Sequence, residues 1–322
     1  MTARISTTGI LIAAVGLAAA LVLAVALNGG PAGAAFPGKN GGIAFDRYLR
    51  GSGPSERKAV YTIKSNGERL RKLTRGRYPN WSASGKKVVF ARRKGGVQSI
   101  YTMKANGKKM RRLTRTRTLD GRPAWSPNGK KIVFTRAQLG QKGQPPGPNH
   151  IYVMKANGNG QKRLVKSRYN ADQPDWSPNG RRIVFASLIG SNTTASLFTI
   201  RPNGKGKRKL TNAGDNPDWS PNGKQIAFER YLSGGRAKIF VMTAKGKRAH
   251  AIGPAGDLKG NNAAWSPDGK EIAFVGFNQE RFIGIFKMNA DGTNTVQLTV
   301  GGKAGDFAGN DSNPDWRPLK RK

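Results

Sequence analysis

The feature that most constrains this chain is a short phrase that returns with each of its six tryptophans. The copies read Trp81-Ser82-Ala83-Ser84-Gly85, Trp125-Ser126-Pro127-Asn128-Gly129, Trp176-Ser177-Pro178-Asn179-Gly180, Trp219-Ser220-Pro221-Asn222-Gly223, Trp265-Ser266-Pro267-Asp268-Gly269 and a shortened Trp316-Arg317-Pro318. Their spacings are 44, 51, 43, 46 and 51 residues, averaging 47. A period of about 45 residues with several strands per unit predicts a propeller, whose units bury their apolar faces against one another. Ser-Pro-Asn-Gly supplies a turn starter, a residue with φ already fixed and a Gly that accepts a left-handed conformation. It therefore joins two antiparallel strands tightly.

Each unit carries four strand signals in one order. Around the first complete phrase these are Pro79-Asn80-Trp81, Val88-Val89-Phe90, Ser99 to Met103 and Met110 to Thr114, with Asn106-Gly107 turning the third strand into the fourth. The same order returns at Ile132 to Phe134, Ile151 to Met154 and Lys162 to Val165. The expectation is an all-β, six-bladed propeller of four-stranded antiparallel blades. The first strand signal, Gly42 to Phe45, is of the second kind, and the last, Pro314 to Arg317, is of the first kind. The C-terminal strand is thus expected to join the N-terminal blade, which removes a free sheet edge. A Trp wedged between blades buries about 150 to 250 Å², an upper bound of about 4 to 6 kcal/mol each.

Composition narrows the chemistry. Lys and Arg number 57 against 17 Asp and Glu, a formal charge of +40, while Cys is absent and His occurs twice. These counts exclude a disulfide framework, thiolate metal sites, Cys nucleophiles and a three-His metal centre. The N-terminus has Arg4, an uncharged Leu, Ala and Val run from Gly9 to Leu27, the breaker Asn28-Gly29-Gly30-Pro31 and the small residues Ala32-Gly33-Ala34-Ala35. That layout predicts a secretory signal over residues 1–35, cleaved after Ala34 or Ala35, and an exported propeller over residues 36–322, periplasmic or extracellular. The alternative is a membrane anchor, because the apolar run approaches the ~20 residues that span a bilayer.

Pro217-Asp218-Trp219-Ser220-Pro221-Asn222-Gly223-Lys224, followed by Ile226-Ala227-Phe228 and accompanied by Leu-Thr at Leu113-Thr114, Leu210-Thr211 and Leu298-Thr299, resembles the WD-like repeats of the TolB family. Similar repeats form propellers in the prolyl oligopeptidase and tricorn families. The resemblance covers residues 40–318 and the propeller part only, without the α/β domain that TolB proteins carry before it. It implies an envelope setting and a protein partner met through the propeller. No Gly-x-Ser-x-Gly elbow occurs, so the oligopeptidase chemistry is not expected.

Alternating strand directions sort the side chains by face. One face gathers the Trp turns, with Lys86, Lys87, Lys130, Lys131, Arg181, Arg182, Lys224 and Lys270, and the hairpins with Lys108, Lys109, Arg111, Arg112, Lys205, Lys207, Arg208 and Lys209. It is expected to bind anionic polymers of the envelope in a salt-sensitive way, or else to be a solvated, solubilising surface. No aromatic residue interrupts these hairpins, which argues against nucleic acid stacked on rings. Nine of the 17 carboxylates lie in or just before the first strands: Asp120, Asp172, Asp175, Asp215, Asp218, Asp257, Asp306, Asp311 and Asp315.

Asp120, Asp172, Asp215, Asp257 and Asp311 are expected at the channel mouth on the opposite, loop face. There they would hold a cationic group or a hard cation such as Ca²⁺, the one cofactor candidate, or else bond their own loop backbone. The pairs Arg47-Tyr48, Arg77-Tyr78, Arg168-Tyr169 and Arg230-Tyr231 are expected to rim that face for a protein or peptide, or to pack on the loops. His150 and His250 are expected at the surface. The chain reads as an exported, monomeric, noncatalytic binding or scaffold protein. The alternative is a polysaccharide-acting hydrolase or lyase using channel carboxylates such as Asp175 and Asp218.

Overall fold

A computed structural model describes residues 35–49, 58–141, 144–190, 194–232, 237–253, 260–277, 283–301 and 310–320. The export signal expected over residues 1–35, all but Ala35, and the expected mouth residue Asp257 lie outside them. Among the described residues no helix is long and apolar enough to cross a membrane.

The chain is all β. It contains β1 (Lys39–Tyr48), β2 (Lys58–Ile63) and β3 (Arg71–Arg75), then β4 (Arg77–Trp81), β5 (Lys87–Lys94), β6 (Val97–Lys104) and β7 (Arg111–Arg112). There follow β8 (Thr118–Trp125), β9 (Lys131–Gln138), β10 (His150–Lys155) and β11 (Lys162–Val165), and then β12 (Ala171–Trp176), β13 (Ile183–Ser187), β14 (Ser196–Ile200) and β15 (Arg208–Thr211). The remaining strands are β16 (Asp215–Trp219), β17 (Gln225–Tyr231), β18 (Ala237–Thr243), β19 (His250–Ile252), β20 (Gly260–Trp265), β21 (Glu271–Phe277), β22 (Ile283–Asn289), β23 (Val296–Gln297) and β24 (Asp311–Leu319).

The second strand of each repeat explains why the sheets stack. Ile43-Ala44-Phe45, Val88-Val89-Phe90, Ile132-Val133-Phe134, Ile183-Val184-Phe185, Ile226-Ala227-Phe228 and Ile272-Ala273-Phe274 are buried on both faces, as strands between two packed layers must be. In each, the Phe pairs with an aromatic ring on the third strand, from Phe45 with Tyr61 at 5.9 Å between centroids to Phe185 with Phe198 at 5.6 Å. The outer strands β3, β7, β15, β19 and β23 are short and mostly exposed, several of them carrying Lys and Arg, which protects the open edges from pairing with other chains.

β24 lies antiparallel beside β1, with Trp316 opposite Ile43 and Asp311 opposite Arg47, so the C-terminal strand completes the sheet of β1, β2 and β3. Innermost strands contact in a closed succession, β24 with β4, β4 with β8, β8 with β12, β12 with β16, β16 with β20 and β20 with β24. The expectation of six separate blades is nevertheless corrected. Four sheets stand alone with four strands each, β24-β1-β2-β3, β12 to β15, β16 to β19 and β20 to β23, whereas β4 to β11 form one eight-stranded sheet. The junction is a parallel bridge between Gln98 on β6 and Leu119 on β8. There β8 starts early enough to reach the third strand of the preceding repeat, and the Gln98 amide donates to the Asp120 carbonyl at 3.0 Å.

Candidate functional site

Five of the six tryptophans end the innermost strands, Trp316 lies within β24, and all six are 2 to 4% exposed. Their indole N–H groups have no acceptor among the described residues, so their contribution is packing. The main-chain N–H of the Trp is different, because the residue before one Trp accepts it from the next repeat. Trp81 donates to Asp315 at 2.5 Å, Trp125 to Asn80 at 2.7 Å, Trp219 to Asp175 at 3.0 Å and Trp265 to Asp218 at 2.7 Å. Asp175 and Asp218, the carboxylates of the enzymatic alternative, are fully buried and hold these clasps. Burial, then the neighbouring Asp175 and Asp315, push the Asp218 carboxyl well above its usual range.

Three residues before each Trp the backbone turns left-handed, at Tyr78, Arg122, Gln173, Asn216, Asn262 and Asn313, with φ between 45° and 56°. Pairing with the second strand shifts register there, as between Asp172 and Asp175 and between Asp215 and Asp218. This recurrent bulge re-aims the side chains on its mouth side, as bulges near sites do. Two acids that the sequence reading did not single out anchor it. Asp46 accepts the Tyr78 N–H at 2.8 Å and Glu229 the Asn262 N–H at 3.1 Å. Each stands directly after the Phe of its second strand, where the other four repeats carry Ala91, Thr135, Ala186 or Val275. That substitution was the available sequence signal.

At the loop end of the axis the bulges assemble one charged cluster. Arg122 is buried, its Nε 3.0 Å from Asp172, and its guanidinium lies over the Tyr78 ring at 5.0 Å. Burial opposes its charge, but Asp172, Tyr78, Asp215 and Glu229 together raise its pKa. Asp215 sits opposite Glu229 in register. Burial and then Glu229 hold the Asp215 carboxyl well above its ordinary value, and burial raises Glu229 as well. The Tyr231 hydroxyl donates to Glu229 at 3.1 Å while its ring is 37% exposed, so the cluster opens to solvent through Tyr231 and half-buried Asp215. Its chemistry is that of two facing carboxyls whose charged forms burial and mutual repulsion disfavour, beside one fixed cation, which suits the reception of a second cationic group.

Of the carboxylates expected at the mouth, Asp172 and Asp215 come together around Arg122. Asp120 forms its own fork with Arg136, at 2.6 and 2.8 Å, and Asp311 its own with Arg47, at 2.5 and 2.8 Å, helped by the Thr299 hydroxyl. Among the described residues no three acidic, His or Cys side chains are placed to hold a metal ion. The Arg-Tyr pairs do not share one geometry. Arg47 lies over Phe45 and Tyr61, Tyr48 under the Lys58 ammonium, and Arg230 over Phe240, while Tyr78 is buried beneath Arg77 and Arg122. Tyr169 and Tyr231 are each 37% exposed. His150 is half-buried, its pKa lowered by burial and Arg163, and His250 is exposed.

The opposite end carries the hairpins. Lys108, Lys109, Arg111, Lys205, Lys207, Arg208 and Lys209 are exposed, while Arg112 is half-buried and bonds Ser99 and the Thr114 carbonyl. Arg111 donates to the Asn157 carbonyl of the following hairpin and Arg208 to that of Lys245, which links successive hairpins into one surface. Lys207 lies over Phe198 at 4.4 Å.

The fold recurs in solved structures. TolB from Acinetobacter baumannii superposes with a TM-score of 0.70 at 20% identity, over 98% of this chain and 74% of that one. A putative TolB from Agrobacterium tumefaciens gives 0.61 at 17% identity, over 87% of this chain and 99% of that one. An oligogalacturonate lyase in complex with manganese gives 0.55 at 13% identity, over 84% and 88%. No curated protein matches the sequence. The TolB beta propeller domain family matches residues 59–230 and 147–318, which between them span most of the ring. With its Trp-anchored inner strands, bulges and closing β24, this chain belongs to the TolB beta propeller domain family.

Proposed function

We propose that the chain is an exported, noncatalytic binding or scaffold protein whose loop end engages a protein or peptide partner through a cationic group. One observation carries this reading: of the acidic pair Asp215 and Glu229, beside Arg122 and Asp172, Asp215 is partly exposed next to Tyr231, whose hydroxyl bonds buried Glu229. A Lys, Arg or α-amino group of a partner would offset the charge that burial and mutual repulsion disfavour on these carboxyls, and Tyr231 would supply contact area. The TolB membership supports a binding or scaffold role. The hairpin end, with exposed cations in every hairpin but the one after β22, would meet anionic polymers of the envelope.

Affinity capture from envelope extracts tests the loop-end reading. Capture that survives high salt in the parent is expected to disappear in the double variant Asp215→Asn, Tyr231→Ala, and full retention in that variant removes the proposal. Tyr78 is not a useful target, being buried. A second reading, acid–base action on a polysaccharide, is favoured by the raised pKa values of the facing Asp215 and Glu229 carboxyls, and turnover of acidic oligosaccharides lost in Glu229→Gln would establish it.

A further inference from the structure

The seam where β24 meets β1 is built differently from the other junctions. Elsewhere the Trp is followed by Ser, whose hydroxyl receives the N–H five residues on and bonds Asn, Asp or, after Trp81, Ser two residues on, closing the turn into the next strand. At the seam the next strand is β1, contributed by the other part of the chain, and the Ser position is Arg317. No turn fills this junction. Instead a cleft of about 340 Å³ opens between the hairpin after β2 and the hairpin after β6, walled by Lys64, Arg69, Arg71, Arg317, Trp81 and Asn106 among others.

Four cations line this cleft and no carboxylate does. Arg317 stacks over Trp81 at 5.2 Å and its Nε donates to the Gly85 carbonyl at 2.8 Å, which leaves its two terminal nitrogens without a hydrogen bond among the described residues. Arg71 is held by the Asn106 carbonyl at 3.2 Å. Arg69 has no polar partner among the described residues, yet it stands in a left-handed conformation, φ 56°, at the hairpin position that Gly160 and Gly206 fill in other repeats. Lys64 alone has an acidic neighbour, the exposed Glu68 at 3.0 Å. A guanidinium fixed on an indole with its fork open, flanked by two more, matches the planar oxygens of an oxyanion.

We propose that this seam cleft is a discrete oxyanion site that takes a carboxylate or phosphate group of an anionic chain lying on the hairpin face. The proposal rests on reading that face as an anion surface and is independent of the loop end. Calorimetric titration at low salt with digalacturonate, and separately with inorganic pyrophosphate, tests it and tells the two sources apart. Saturable one-site binding of either probe is expected, weakened about tenfold or more in the double variant Arg69→Gly, Arg317→Ser, and by less than about threefold in Lys205→Ser, Lys247→Ser, which removes equal charge from the same face. Both test substitutions install residues that this fold already carries at the equivalent positions.

Equal weakening by the two double variants leaves a diffuse basic surface and overturns the site. No saturable binding of either probe overturns the site and the anion surface together. Should Arg317→Ser fail to fold, Arg69→Gly alone and Arg317→Lys, which keeps the charge and loses the fork, are each expected to weaken binding, and parental affinity in both overturns the proposal.

Discussion

At the loop end of the ring Arg47, Arg122 and Arg136 each face a carboxylate within 3.0 Å, and the three partners, Asp311, Asp172 and Asp120, are buried. At the turn end Lys108, Lys109, Lys205 and Lys209 are exposed with no carboxylate partner among the described residues. The protein's acids are mostly committed to its interior, as bulge anchors, clasps and ion pairs. The hairpin end therefore carries cations that no carboxylate balances, while the loop end holds Arg47, Arg122 and Arg136 in ion pairs of fixed geometry. Buried pairs of this kind are poor evidence for stability, but breaking one partner leaves an uncompensated charge.

The contrast depends on the closed ring, so opening the ring is the strongest way to break it. A chain ended at Asn313 loses Trp316 and most of β24, and is expected not to accumulate as a soluble monomer. A monomer of that length with the parental melting temperature would show that closure does not hold the two ends apart. A smaller effect separates the clasps from the cluster. Asp218→Ala strips the Trp265 N–H of its acceptor and is expected to cost about 1 to 3 kcal/mol in denaturant melts. Asp218→Asn keeps an acceptor, as Asn80 does for Trp125, and is expected to match or exceed the parent at neutral pH because it removes a carboxyl crowded by Asp175 and Asp315.

The smallest effect sharpens the loop end itself. Asp215 and Glu229 have raised pKa values in the fold, so their protonated forms favour folding. Their contribution is complete below the ordinary carboxylate range and is lost as pH rises through the raised values. Glu229→Gln is thus expected to gain stability relative to the parent as pH increases from about 4 to about 8, measured as the difference between the two melting temperatures at each pH. A difference that stays flat would mean the two carboxyls do not share the cluster.

Much of this was legible in the sequence for a physical reason: Trp, the Pro-fixed turn and Gly are demanded locally, so each copy marks its own innermost strand. The closing role of Pro314 to Arg317 followed from the order of strand types. The sheet count was not legible, because the bridge from Gln98 to Leu119 is a single backbone pairing between neighbouring repeats that leaves no pattern in either. The mouth was half legible. Asp172 and Asp215 carried a positional signature, whereas the part of Arg122 depends on what stands across the axis from it. Its only trace was being the one Arg at a position that elsewhere holds Tyr, Gln or Asn.

The left-handed residue three places before each Trp has a further consequence. A non-Gly residue in that conformation costs about 1 to 2 kcal/mol, yet six different contexts here tolerate Tyr, Arg, Gln and Asn in it. The strain is borne by the strand pairing and the clasps below, not by the identity of the side chain. These positions therefore act as interchangeable sockets around one opening, and a relative could acquire a new ligand by exchanging a single residue in one of them while the scaffold stayed as it is.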